Sequence, residues 1–430
     1  MLIEFSVGNW RSVKDQQTLS LVLAKGNELA DVNSFVPAAP ATTSLLRTAA
    51  IYGPNAAGKS NLLRAIRTMK KFVVESARDQ YGDSIPVVPF LLDSVKKNEP
   101  TEFEVIFVAE GIRYQYGFSA TTERVHEEWL FAYPHGRAQK WLGRVWNTET
   151  DNYDWEKCSS LTGQKLLWQE STRQNALFLS TAVQLNSKQL QPVYDWFKKT
   201  LRMANVSGWT PSFTASLCKD IEQRKRILDF LKAADLDIQD VVVESEKMSL
   251  KHLPSDMPEE LKSTILSNMS DAEVFDIKTL HQSSDGNLVP FDFDDESDGT
   301  KKFFAFAGPW LDTLKNGYVL VIDELHENLH PKMVQFLVQL FHNNEMNPKN
   351  AQLVFTTHET SILDQNVFRR DQVWFCEKDY SQSTRLYPLT DFHPKKGREN
   401  LEANYLAGRY GALPYLRSLK NLDLEAESGQ

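Results

Sequence analysis

Cysteine, long apolar runs and a surplus of basic residues are scarce or missing in this sequence of 430 residues. The three cysteines, Cys158, Cys218 and Cys376, stand far apart and match no metal-binding or redox spacing, which excludes such motifs and fits a reducing compartment. No run of about 18 apolar residues occurs, and the N-terminus lacks the basic and apolar regions of a signal peptide. We therefore expect a cytoplasmic protein without membrane contact.

The charge balance is acidic, with 48 lysines and arginines against 57 aspartates and glutamates and a formal net charge of −9. This balance argues against a protein that coats nucleic acid without preference, although it leaves a local basic groove open. Hydrophobic residues make up 41% of the chain, which is enough for sizeable cores.

One stretch fits the phosphate-loop pattern G-x-x-x-x-G-K-[ST] without a mismatch, through Gly53, Gly58, Lys59 and Ser60. The glycines let backbone N–H groups face an anion, Lys59 adds positive charge near the outer phosphates, and the Ser60 hydroxyl can ligate magnesium. An apolar strand over 48–52 precedes the loop, and a helix from Lys59 follows it. The predicted nucleotide-binding residues are Gly53, Pro54, Asn55, Ala56, Ala57, Gly58, Lys59, Ser60 and Asn61.

Arg11 lies between two strand-like segments near the N-terminus. A hairpin placed before a phosphate loop can cover the nucleotide, and a guanidinium group both stacks on a base and makes paired hydrogen bonds. We predict that Arg11 contacts the nucleotide; the alternative is an exposed arginine in a turn.

A second apolar strand, over 318–322, ends in Asp323 and Glu324, which we call the acid pair. Carboxylates at such a position are costly unless they have a partner or a task. We expect Asp323 to hold magnesium through water and Glu324 to act as the general base on the attacking water.

His358 ends a third apolar strand, over 351–357. A lone histidine more often packs in a core, but this one follows a strand that we place in the same sheet. It would emerge at the carboxyl edge, where ligands bind in open α/β folds. We therefore predict that His358 is a second catalytic residue near the outer phosphate.

Ser297 and Gly299 precede a helix that ends near Leu314. Hydroxyl and backbone donors at a helix N-terminus can bind an anion, so we predict a second phosphate-binding segment here. The alternative is a simple helix cap.

Three parts follow from this order along the chain. Residues 1–160 hold the phosphate loop and four likely antiparallel strands, over 102–109, 113–120, 125–133 and 140–146. Residues 161–290 read as mainly helical. Residues 291–430 carry the acid pair and His358. We therefore predict an α/β fold with an antiparallel β subdomain and an inserted helical subdomain.

Together these segments resemble the ATP-binding-cassette (ABC) ATPase clade that includes the SMC-type chromosome proteins. Residues 297–300 look like its signature motif, 327–331 like its D-loop and 356–358 like its switch histidine. Residues 369–375 and 404–414 look like the RloA-type AAA family ATPases of prokaryotic defence islands, similar to the AriA component of PARIS systems.

This resemblance implies an ABC-type P-loop ATPase head that uses ATP and magnesium and forms a homo-oligomer. Two heads would sandwich the ATP, with Ser297 and Gly299 of one facing the phosphates of the other. It also implies a sensor or scaffold in antiviral (anti-phage) defence that controls a separately encoded effector, such as a Toprim or RloB-type nuclease. The alternative is an SMC-like DNA-repair ATPase that binds duplex DNA directly, although the acidic charge predicts weak direct DNA binding.

Overall fold

The computed structural model describes residues 1–204, 209–253, 257–268, 273–395, 397 and 399–415. The strands are, in chain order, β1 (Leu2–Gly8), β2 (Gln17–Ser20), β3 (Ser34–Phe35), β4 (Leu45–Leu46), β5 (Thr48–Tyr52), β6 (Thr101–Ala109), β7 (Ile112–Ala120), β8 (Val125–Tyr133), β9 (Gln139–Asn147), β10 (Asn152–Trp155), β11 (Leu201–Met203), β12 (Asp240–Lys247), β13 (Glu273–Gln282), β14 (Leu288–Asp292), β15 (Val319–Ile322), β16 (Gln352–Thr356), β17 (Val373–Lys378) and β18 (Thr384–Pro388). The α-helices are α1 (Ala30–Asn33), α2 (Lys59–Glu75), α3 (Lys165–Ser171), α4 (Phe178–Gln184), α5 (Gln191–Asp195), α6 (Ser212–Cys218), α7 (Ile221–Ala233), α8 (Glu259–Asn268), α9 (Asp298–Asn316), α10 (Pro331–His342) and α11 (Leu401–Leu406).

A six-stranded sheet in the order β11-β15-β16-β5-β17-β18 carries the predicted site. Its strands are parallel except for β18, which pairs antiparallel with β17. The three strands that we predicted to end in functional residues, β15, β16 and β5, are therefore direct neighbours with the same direction. Their carboxyl ends meet at one edge of the sheet.

This sheet separates two hydrophobic cores, because successive side chains of a strand point to opposite faces. In β5, Ala49 and Ile51 pack in one core together with the buried face of α2. Ala50 and Tyr52 pack in the other core, which also contains the apolar residues of α9 and α10. Strand β5 therefore has no exposed face, which explains its uninterrupted apolar sequence.

A seven-stranded antiparallel sheet, in the order β10-β9-β8-β7-β6-β1-β2, lies on the side of α2. It contains the four strands predicted between 102 and 146, and their existence is confirmed. In β6 the side chains of Phe103, Val105 and Phe107 are buried, whereas Glu102 is exposed. This alternation buries one face of the sheet against α2 and leaves the other for polar residues.

The middle of the chain holds helices α3 to α8, in agreement with the helical pattern, but it also holds strands that the pattern did not predict. Strand β11 joins the edge of the six-stranded sheet beside β15. Strands β12, β13 and β14 form a separate three-stranded antiparallel sheet. The division of the chain at 160 and 290 remains a prediction.

The three cysteines are buried and free. Burial raises the pKa of the Cys218 and Cys376 thiols to about 12, so both stay protonated at neutral pH. Of the helices in the described ranges, none has both the length and the apolar character needed to cross a membrane.

Candidate functional site

The phosphate loop runs from the end of β5 to the start of α2, and its two glycines are required by conformation and by space. Gly53 and Gly58 have φ angles of 151° and 109°, in the region that L side chains rarely adopt. A Cβ atom on Gly53 would lie 2.1 Å from the Cys376 carbonyl oxygen, and one on Gly58 would lie 2.0 Å from the Thr384 Oγ1. The loop is therefore packed closely against β17 and β18.

The Lys59 side chain bends back across this loop. Its Nζ donates hydrogen bonds to the carbonyl oxygens of Gly53 at 2.8 Å and Pro54 at 3.0 Å. Burial lowers the pKa of Lys59, although the electrostatic effects of Cys376 and the acid pair act to raise it. The ammonium group is thus held, partly desolvated, inside the curve where the pattern places the outer phosphates.

The N-terminal turn supports the loop from the other side. The Ser12 Oγ accepts a hydrogen bond from Asn61 Nδ2 at 2.8 Å and lies 2.8 Å from Thr384 Oγ1, whose hydroxyl donates to the Ala57 carbonyl oxygen at 2.8 Å. Arg11 lies in this turn with an exposed side chain, and its guanidinium carbon is 5.1 Å from the centre of the Trp10 ring. The turn that carries Arg11 therefore contacts the loop, whereas nucleotide contact by Arg11 itself remains a prediction.

The acid pair follows β15 and is fixed by the end of the neighbouring strand β16. The Thr356 hydroxyl donates to Asp323 Oδ1 at 2.6 Å and accepts from the Glu324 backbone N–H at 2.8 Å. Glu324 has a φ angle of 54°, which is left-handed and uncommon for a residue other than glycine. Glu324 is exposed, while Asp323 is half-buried and lines a small cavity together with Ser60.

Ser60 and Asp323 offer the ligands that magnesium prefers. One supplies a hydroxyl oxygen and the other a carboxylate oxygen, and hard divalent cations bind such oxygens together with water. Within the described residues, no group of three or more His, Cys, Asp or Glu side chains is arranged to hold a metal ion. A cation beside Asp323 would therefore need the Ser60 oxygen, water and phosphate oxygens to complete its coordination.

His358 lies next to Lys59 at the carboxyl edge of the six-stranded sheet, and its contact with the outer phosphate remains a prediction. The His358 Nε2 and Lys59 Nζ atoms are 3.1 Å apart. Burial, and after it the positive charges of Lys59 and His326, lowers the pKa of His358 to about 4. The imidazole is therefore neutral at physiological pH, and it can exchange hydrogen bonds without adding a charge to the site.

His326 is a neighbour of His358 that the sequence analysis did not single out. The two rings are 5.4 Å apart in an edge-to-face arrangement, and the His358 backbone N–H points to His326 Nδ1 at 3.4 Å. Burial lowers the pKa of His326 as well. Its position two residues after Glu324 was the available signal, because a turn after the acid pair brings that residue back to the same sheet edge.

Ser297 caps helix α9. Its side chain accepts a hydrogen bond from the Thr300 backbone N–H at 3.1 Å, so the simple capping role is present. A Cβ atom on Gly299 would lie 3.3 Å from the Asn328 carbonyl oxygen. Gly299 therefore lies against the turn that follows the acid pair, and a phosphate contact by Ser297 would have to come in addition to its cap.

Comparison with known proteins gives one family match and several solved structures. The family described as "AAA domain, putative AbiEii toxin, Type IV TA system" matches residues 49–364. No curated protein matches the sequence.

The solved structures include an SMC head domain from Thermotoga maritima, with a TM-score of 0.39, 11% identity, and coverage of 90% of this chain and 98% of that one. They also include the recombination mediator protein RecF with a bound ATP analogue, with a TM-score of 0.35, 15% identity and coverage of 90% and 98%. Because the family match covers more than half of the sequence, this chain belongs to the AAA domain family whose description names the AbiEii toxin and type IV toxin–antitoxin systems.

Proposed function

We propose that this chain binds ATP with magnesium, hydrolyses it, and acts as a nucleotide-dependent sensor or scaffold in antiviral defence. The observation that carries the proposal is the meeting of three strand ends. Strand β5 leads into Lys59, β16 ends beside His358, and β15 ends at the acid pair. The residues that we assign as charge contact, metal ligand and general base of phosphoryl transfer are thus all at one sheet edge.

The residues present fit both ligands. The loop amides and Lys59 would hold the phosphates, while Ser60 and Asp323 would hold the magnesium. When bound, magnesium neutralises charge that develops on the phosphate oxygens. The neutral His358 would meet the outer phosphate as a hydrogen-bonding partner.

Glu324 is the residue to which we assign the proton of the attacking water. The water oxygen forms a bond to the γ-phosphorus, the bond from that phosphorus to the bridging oxygen breaks, and ADP and phosphate leave. Glu324 is exposed, and its bond to Thr356 is made by its backbone N–H. Its side-chain carboxylate is therefore available to receive the proton. Phosphoryl transfer needs little more from the protein than this alignment and the balance of charge.

Helix α9 supports the proposal that two heads sandwich the nucleotide. It runs for 19 residues from Asp298, and its N-terminus therefore carries a partial positive charge beside Ser297 and Gly299. An anion from a second copy of the chain would be stabilised there. The proposed oligomer is a homo-oligomer in which Ser297 and Gly299 of one head face the phosphates bound to the other.

The proposed partner is a separately encoded effector, such as a nuclease of the Toprim or RloB type. Two observations support a defence role: the resemblance to RloA-type ATPases and to the AriA component of PARIS systems, and the family description, which names a toxin and a toxin–antitoxin system.

A second candidate function, a DNA-repair ATPase that binds duplex DNA, has one observation in its favour. Arg64 and Arg67 of helix α2 line the small cavity with Ser60 and Asp323, and further along the same helix Lys70 lies near Arg202 of β11. Burial and the charge of Arg202 lower the pKa of Lys70 to about 8. This cluster of cations could meet a phosphate backbone, against the overall charge of −9.

The proposal is tested with purified wild type, Glu324→Gln and the control Glu345→Gln, which changes an exposed acid after α10. Glu324→Gln should retain ATP binding and hydrolyse ATP about 10²- to 10⁴-fold more slowly, while Glu345→Gln behaves as wild type. Wild-type hydrolysis by Glu324→Gln would remove the assigned base. Pull-down of the neighbouring gene product with wild type and Glu324→Gln then tests the effector: a partner held differently by the two supports it, and equal or absent binding contradicts it.

A further inference from the structure

We propose that Thr356 is a positioning residue for hydrolysis, because its hydroxyl sets the orientation of the Asp323 carboxylate and the backbone conformation of Glu324. This inference rests on the proposed ATPase function and extends it to a residue outside the predicted nucleotide-binding set. Thr356 is the last residue of β16 and is fully buried, with 0% of its surface exposed.

One hydroxyl group makes both contacts. It gives its hydrogen to Asp323 Oδ1 at 2.6 Å and accepts the Glu324 backbone N–H at 2.8 Å. The Thr356 carbonyl oxygen accepts a third bond from the Leu325 N–H at 3.1 Å. The end of β16 is therefore bonded to three successive residues after β15, and the single hydroxyl hydrogen is already used.

The conformation held in this way is one that the chain does not favour by itself. The left-handed backbone of Glu324, with φ at 54°, is strained for a residue with a Cβ atom. The turn gives two adjacent acids different surroundings: Asp323 is half-buried at the cavity that Ser60 also lines, and Glu324 is exposed. An acid pair that must serve as metal ligand and as base needs such a separation.

Only a small side chain that both donates and accepts can make these bonds. Serine keeps the hydroxyl, whereas valine has almost the same shape as threonine but neither donor nor acceptor. In Thr356→Val, Asp323 loses its orienting donor and the Glu324 N–H is left without its partner. Loss of a group that orients a metal ligand typically lowers metal affinity or activity about 10- to 100-fold.

The test compares Thr356→Val, Thr356→Ser and the control Thr48→Val in the full chain. Thr48 is an equally buried threonine of the same sheet, with its hydroxyl bonded to His342 and Gln372 instead of the site. For each protein, kcat is measured together with ATP affinity in the presence and absence of magnesium. We expect Thr356→Val to lose about 10- to 100-fold in kcat and in the affinity gained from magnesium, while its metal-free ATP affinity stays at the wild-type value.

Thr356→Ser should recover most of the kcat and most of the ATP affinity gained from magnesium. Thr48→Val should leave both of these values unchanged. A Thr356→Val protein with wild-type kcat and the wild-type gain from magnesium overturns the inference while the ATPase function stands. If the wild type binds ATP but does not hydrolyse it, the proposed ATPase function fails. The ATP affinity gained from magnesium in Thr356→Val and in the wild type still decides whether Thr356 orients Asp323. If Thr356→Val does not fold, Thr356→Ala takes its place, and equal behaviour of the alanine and serine variants overturns the inference.

Discussion

Lys59→Ala should weaken ATP binding about 10- to 150-fold. In the structure the Lys59 ammonium is surrounded by the carbonyl oxygens of Gly53 and Pro54 and by His358 Nε2, all within 3.1 Å. A phosphate oxygen that enters this group of acceptors receives a charge-assisted hydrogen bond, worth about 1.5–3 kcal/mol. Since about 1.4 kcal/mol corresponds to a factor of ten, this range gives the predicted loss of affinity.

The loss can be measured as stabilisation by the ligand. At an ATP concentration 100 times its dissociation constant, the wild type should gain about 2.7 kcal/mol in free energy of unfolding. A variant that binds about 100-fold more weakly gains only about 0.4 kcal/mol at the same concentration. Urea unfolding with and without ATP therefore separates the two proteins, and Glu324→Gln as the parent protein keeps the ATP intact.

Lys70→Ala is the control, because Lys70 is a second lysine of α2, half-buried, whose Nζ bonds to the Leu201 carbonyl oxygen away from the loop. It should keep nearly all of the stabilisation by ATP. If Lys59→Ala is stabilised as much as its parent, Lys59 does not contact the phosphates and the assigned role of the loop is wrong.

Three further predictions address the oligomer, the buried histidine and DNA. Ser297→Arg should abolish ATP-dependent dimerisation in light scattering, because a bulky cation fills the space assigned to the opposing phosphates; full ATPase activity of a strictly monomeric variant would refute the sandwich. Burial, and after it the charge of Arg47, lowers the pKa of His342 to about 3. Below pH 6.5 the unfolded chain therefore takes up a proton that the folded chain does not. The free energy of unfolding should fall by about 1.4 kcal/mol per pH unit as the pH decreases from 6.5 towards 3. Urea unfolding at pH 7 and pH 5 should show a smaller pH dependence in His342→Gln, and equal slopes contradict the assignment. Duplex DNA should bind weakly and lose affinity steeply with salt in filter binding, whereas tight, salt-resistant binding would favour the repair function.

The parts of the site that the sequence predicts well are those encoded in contiguous residues. Gly53 to Ser60 needs only local spacing, and the strands β5, β15 and β16 follow from short apolar runs that end in the residues predicted for the site. Elements of this kind carry their signal within ten residues or so, and the structure agrees with them.

The parts that the sequence did not predict depend on residues far apart in the chain. Ser12 and Thr384 meet at the phosphate loop although 372 positions separate them, and nothing in either local sequence indicates a loop support. Strand β11 is three residues long and is a strand because it pairs with β15. Short edge strands have almost no periodicity of their own, so tertiary pairing decides their structure.

The placement of Thr356 and His358 gives strand β16 a role in joining the two halves of the site. Thr356 is bonded to the acid pair, and His358, two residues later, is 3.1 Å from the Lys59 ammonium. The residue between them, Thr357, is buried and its N–H donates to the Ile51 carbonyl oxygen of β5. Because so short a span has bonds on both sides, a phosphate that drew Lys59 away from His358 would change the contacts of the strand end that bonds to the acid pair. The order β15-β16-β5 therefore joins the phosphate loop to the acid pair through one strand end, and the proposed sensor function requires such a connection.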